Sequence, residues 1–240
     1  MSQPAALKPS YLSVADSPAT ARVNLPLVVL IHGLHQRGFI MSVLGKRLKA
    51  QGFDTHLHDY HSLSAPIEEH SRSLNLWLEA NYNPSDMLYL VGHSLGGLVI
   101  RDFIERYPHW SIGRCVTLGT PHNGSISAEY VSRLLPVAVG AAYQGALDGD
   151  IAPLPDRISL GVIAGNKPHG LGQLFLNHYK RKAKLSAEQS AHDGTVFVSE
   201  TRLVNARDHL VLPVSHTGML VNKTVADQTS YFLLHGHFKR

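Results

Sequence analysis

The chain has 240 residues, 44% of them hydrophobic, enough to bury a sizeable core as one α/β domain rather than two. Its formal charge is +4, but Lys and Arg cluster only at Lys180-Arg181-Lys182-Ala183-Lys184, which argues against a nucleic-acid partner and leaves weak contact with an anionic membrane surface as the most this charge supports. The single cysteine, Cys115, excludes an internal disulfide, and no apolar run reaches the roughly 18 residues of a membrane span, so the sequence reads as a soluble, cytoplasmic protein.

Residues 1–24 carry Pro4, Pro9, Asp16 and Pro18 and no continuous apolar stretch, which predicts an N-terminal lead rather than a secretory signal. Leu25 to Ile31 is an unbroken apolar run closed by His32-Gly33, the pattern of a buried parallel strand. Met41, Val43, Leu44 and Leu48 then recur at helical spacing until Gln51-Gly52. Phe53 to Asp59 predicts the next strand. In it His56 and His58 share one face, and with His61 and Asp54 they raise the question of a metal; no further ligands at a recognisable spacing complete a set, so none is expected. Pro66 to Ala80 predicts an amphipathic helix on Ile67, Leu74, Trp77 and Leu78, with Glu68 and Glu69 at its positive end.

Met87 to Val91 predicts a strand that runs straight into Val91-Gly92-His93-Ser94-Leu95-Gly96-Gly97-Leu98. This is a nucleophile elbow, a strand-to-helix turn so sharp that side chains two residues either side of Ser94 would meet its backbone, hence Gly92 and Gly96. His93 is expected to point away from Ser94 into the packing. The following helix, to about Tyr107, is apolar on most sides and should be the central one. Ile112 to Leu118, Ile158 to Ala164 and Leu210 to Val214 predict three more strands, followed by a last amphipathic helix. Strands alternating with helices imply a parallel sheet with helices on both faces and ligands at the strands' carboxyl ends. Two stretches break the rhythm. Residues 121–157, with Tyr130, Val131, Leu134, Leu135, Val137, Ala138 and Val139, suggest a short apolar cap over the site, and the more polar residues 166–192 a surface excursion.

A serine hydroxyl needs a base to accept its proton and a third group to orient that base. His216 follows the strand at 210–214 and precedes the last helix, which fits the base. Asp193, after the strand at 158–164 and opening a local turn, fits the orienting acid, with Asp208 in reserve; Asp148, Asp150 and Asp156 are weaker competitors. His122 either touches the substrate channel or holds its loop.

The order Ser94, Asp193, His216 resembles that of the α/β-hydrolases, a likeness that covers nearly all of residues 25 to 235 and implies a single hydrolase domain over 25–240. More narrowly, Leu118-Gly119-Thr120-Pro121-His122-Asn123-Gly124-Ser125 and Asp193-Gly194-Thr195-Val196 are similar to segments of triacylglycerol lipases and related lipid esterases. The resemblance implies that the Leu34 amide, after His32-Gly33, and the Leu95 amide form the oxyanion hole. It implies cleavage of carboxylic esters with an apolar acyl or alcohol part, on a small-molecule or lipid ester, without a cofactor. Many secreted members carry a disulfide and a calcium site; the disulfide is absent here, and calcium is not expected. An acyltransferase or thioesterase would use the same triad, and a non-catalytic binding protein could keep the same fold.

Overall fold

The computed structural model describes residues 26–134, 140–170 and 172–240, so the expected N-terminal lead and residues 135–139 of the expected cap lie outside the described residues. Six strands, β1 (Leu27–Ile31), β2 (Asp54–His58), β3 (Leu88–His93), β4 (Ile112–Leu118), β5 (Ser159–Gly165) and β6 (Asp208–Leu212), form one sheet in the order β2-β1-β3-β4-β5-β6. Every pairing is parallel. The chain steps outward from β1 to β2, then returns to the other side of β1 with β3. A crevice therefore opens between the carboxyl ends of β1 and β3, the usual ligand site of such sheets. Ile31 and Gly92 are Cα partners in the register, so the residues that follow each strand emerge side by side.

Side-chain alternation explains the layers. In β1, Val28 and Leu30 enter one apolar cluster with Leu44 and Leu48 of α1 (Ser42–Ala50) and Phe232 and Leu233 of α6 (Lys223–His235). Leu27, Val29 and Ile31 enter the opposite cluster with Leu74 and Leu78 of α2 (Ile67–Asn81) and Leu98, Val99 and Phe103 of α3 (Leu95–Arg106). A strand buried on both faces must be apolar at every position, as β1 is. Among the described residues no helix is long and apolar enough to cross a membrane.

The stretch at 166–192 corrects the sequence reading. It contains α5 (Gln173–Lys182), which packs beside α4 (Ile126–Leu134) of the expected cap, with the rings of Phe175 and Tyr130 stacked at 6.1 Å. Only Leu176 of α5 is fully buried, and the helix ends in Lys180-Arg181-Lys182, so its composition is that of a surface segment although one edge faces the site.

The histidines of β2 turn inward against α2. His56 stacks on Trp77 with centroids 3.5 Å apart, His58 is buried with Nε2 unpartnered, and His61 is exposed. Among the described residues no three His, Cys, Asp or Glu side chains gather in a metal-binding set. Burial pushes His58 down to about 4, so it folds as the neutral ring. The unfolded chain takes up this proton near pH 6.5, the native protein only near pH 4; His58 therefore favours folding fully above pH 6.5, and that contribution is lost as pH falls from 6.5 towards 4. We expect the loss of unfolding free energy between pH 7 and pH 5 to be about 2 kcal/mol smaller in His58→Gln than in the wild type. Chemical denaturation at the two pH values measures this, and equal losses would show that His58 does not titrate with folding.

Candidate active site

Ser94 joins β3 to α3 with φ 52° and ψ −121°, a conformation costly for any residue with a Cβ. The surroundings over-determine it. The Ser94 amide donates to the Leu118 carbonyl at 2.9 Å, and the Thr120 hydroxyl donates to the Ser94 carbonyl at 2.9 Å. A Cβ on Gly96 would lie 2.2 Å from the Ile31 carbonyl oxygen, and one on Gly92 would lie 2.5 Å from the Gly97 nitrogen. Both glycines are thus required by close approach of backbone to backbone.

His216 leaves the loop after β6 and is almost wholly buried. Its Nδ1 lies 2.7 Å from Asp193 Oδ2, and its amide donates to the Asp193 carbonyl at 2.9 Å, so side chain and backbone are held by the same residue. Asp193 opens a tight turn in which Oδ1 accepts the Thr195 and Val196 amides at 2.9 and 2.8 Å. Burial alone would raise its pKa; the His216 ring and these two amides outweigh that and hold the carboxyl below its ordinary range. Asp208, the sequence reserve, sits at the amino end of β6 and binds the Phe238 amide and Arg240, away from His216.

Ser94 and His216 line one cavity of about 880 Å3, together with Leu34, Val131, Phe175 and Val196. No hydrogen bond joins Ser94 to His216 in this structure, a looseness common where substrate completes the contact. Leu34 follows β1 beside the serine, and Leu95 is the first residue of α3, where a backbone N–H lacks an intrahelical acceptor. Gly170, Gly172, Gln173 and Phe175 also line the cavity, so the stretch read as a surface excursion supplies part of its wall.

His93 departs from expectation. Instead of pointing away it lies against the His216 ring, with centroids 4.7 Å apart, and its Nε2 donates to the His216 carbonyl at 3.0 Å. Burial pushes His93 down to about 3, so it stays neutral beside His216. His122 does not reach the cavity; it is buried with Nε2 3.0 Å from the Thr117 hydroxyl, the loop-holding alternative. Two further residues had no sequence signal. Gln36 Oε1 accepts the Gly33 amide at 2.8 Å. The buried Glu200 carboxylate accepts the Ile126 and Phe197 amides, each at 2.6 Å, tying the start of α4 to the segment after Asp193; burial pushes it up to about 7.

A parallel sheet of this order, with a serine on the turn after β3, an acid after β5 and a histidine after β6, defines an α/β-hydrolase. The palmitoyl protein thioesterase family matches residues 27–152, more than half of the chain, and the chain belongs to that family. It is thus a hydrolase of the esterase, lipase and thioesterase type. The matched stretch includes Ser94 but ends before Asp193 and His216. Among solved structures, the mature lipase BlEst2 of Bacillus licheniformis aligns with 84% of this chain and 89% of its own, at 20% identity and TM-score 0.68. Phospholipase PlaB of Legionella pneumophila aligns with 88% of this chain and 60% of its own, at 13% identity and TM-score 0.64. The methylesterase MES16 of Arabidopsis aligns with 88% of this chain and 98% of its own, at 16% identity and TM-score 0.56. At these identities the likeness is one of fold. No curated protein sequence matches the chain.

Proposed function

We propose that the protein hydrolyses carboxylic esters with an apolar acyl or alcohol part through an acyl-enzyme. The observation that carries this reading is the 2.7 Å bond between His216 and Asp193 on the cavity that Ser94 also lines. Ser94 attacks the ester carbonyl as His216 Nε2 takes its proton, and Asp193 keeps Nδ1 protonated and stabilises the imidazolium. The Leu34 and Leu95 amides receive the oxyanion. His216 then returns the proton to the departing alcohol, and water, activated by the same ring, releases the acid. Neutral His93 adds no repulsion to the imidazolium. Val131, Ala128, Leu147 and Phe175 give the acyl or alcohol part an apolar wall, which supports a lipid-like ester.

A thioester substrate is the second reading, favoured by the family match. Both are tested by measuring kcat/KM for p-nitrophenyl esters and acyl thioesters from two to ten carbons. Each methylene that enters the apolar cavity should raise kcat/KM about fourfold, the equivalent of about 0.8 kcal/mol, until the wall is reached. A flat series would oppose the apolar-substrate reading. A preference for thioesters at every length would transfer it to the second.

A further inference from the structure

We infer that His32 and Tyr60 are positioning residues that together set the direction of the Leu34 N–H. The inference rests on the reading of Leu34 as an oxyanion donor. His32 Nδ1 lies 2.9 Å from the Gly33 carbonyl oxygen, which can only accept, so Nδ1 carries the proton. His32 Nε2 lies 3.3 Å from the Tyr60 amide nitrogen, which can only donate, so Nε2 is bare. Asp59 Oδ1, 3.6 Å from Nε2, favours a second proton there, but that proton would oppose the Tyr60 N–H. Asp59 is already engaged by the Gly38 amide at 2.6 Å and by Arg37 at 3.2 Å. Burial also works against the cation and keeps the ring below its ordinary pKa. His32 is therefore a donor of fixed tautomer.

Tyr60 completes the fixture. Its hydroxyl donates to the His32 carbonyl at 2.8 Å, and its ring stacks on the imidazole at 4.2 Å and 15°. The Gly33–Leu34 peptide is trans, and in a trans peptide the carbonyl and the following N–H point in opposite directions. A donor that holds the Gly33 carbonyl towards the core consequently turns the Leu34 N–H away from it, on the side of the cavity that Leu34 lines. Gln36 holds the other end of Gly33 through its amide. His58 and His70 pack around Tyr60 with centroids at 6.2 and 4.5 Å and help to bury it.

The test compares His32→Asn with His32→Gln, because an Asn amide nitrogen stands as many bonds from Cβ as Nδ1 does, and a Gln amide nitrogen as many as Nε2. We expect Gln to lower kcat about 30-fold, short of the two to three orders of magnitude for a donor removed outright, with KM and the apparent pKa of kcat/KM unmoved. Asn should retain at least about one third of wild-type kcat. Tyr60→Phe, which leaves the ring stacked, should lower kcat severalfold and keeps the inference testable if the Gln variant does not fold. Folded Asn and Gln variants of equal kcat, a loss confined to KM, or a Tyr60→Phe enzyme of wild-type kcat would overturn the inference alone. A wild-type protein inactive on every ester and thioester would instead overturn the hydrolase reading and this inference with it.

Discussion

Ser94→Ala and His216→Ala each lower kcat on a medium-chain ester by about six orders of magnitude, and the double variant is hardly slower than either. The serine variant has no atom to form the acyl-enzyme. The histidine variant leaves a hydroxyl that is a poor nucleophile at neutral pH. Because the two groups act in one step, their losses do not add. Ser94 ends at the cavity, and the His216 amide bond to Asp193 survives truncation to Cβ, so the backbone at both positions keeps its partners. Steady-state kinetics on proteins of wild-type circular dichroism measure the effect. Either variant retaining more than about a hundredth of wild-type kcat would remove that residue from the mechanism.

Asp193→Asn lowers kcat by about four orders of magnitude while leaving the protein folded. The geometry dictates how. Oδ1 accepts two backbone amides, so the oxygen of an asparagine must occupy that place and its NH2 must face His216 Nδ1. That NH2 donates to Nδ1, which moves the ring proton to Nε2, and a protonated Nε2 cannot accept the proton of Ser94. The substitution changes the tautomer and little else. Single-turnover acylation against pH checks it: the asparagine enzyme should acylate slowly at all pH values, with hydroxide partly restoring the rate. Wild-type acylation by Asp193→Asn would show that the 2.7 Å contact has no part in orienting the base.

How much of this was legible in the sequence depended on whether the signal was local. The apolar run to Ile31, the glycines around Ser94 and the turn at Asp193 each carry their cause within a few residues, and each stands as read. The nearness of Leu34 to Ser94 follows from β1 pairing with β3, which the sequence implied only through its resemblance to the α/β-hydrolases. What escaped depends on distant partners. Phe175 reaches the cavity because α5 leans on α4, while a helix ending in three basic residues looks like surface from its own composition. His93 meets His216, 123 residues further along the chain, and no local pattern marks that contact. His32 and Tyr60 are 28 residues apart, joined by the pairing of β1 with β2, and no spacing rule links them. Glu200 lacked any motif, since a carboxylate that accepts backbone amides is defined by where the backbone goes.

The central claim, an activated serine at position 94, is tested most directly by intact mass after exposure to a fluorophosphonate. One phosphonyl adduct is expected on the wild-type protein, located on Ser94 by peptide mapping, absent from Ser94→Ala and formed at least about a thousandfold more slowly by His216→Ala. A folded wild-type protein that takes up no label, or carries it on another residue, would contradict the claim.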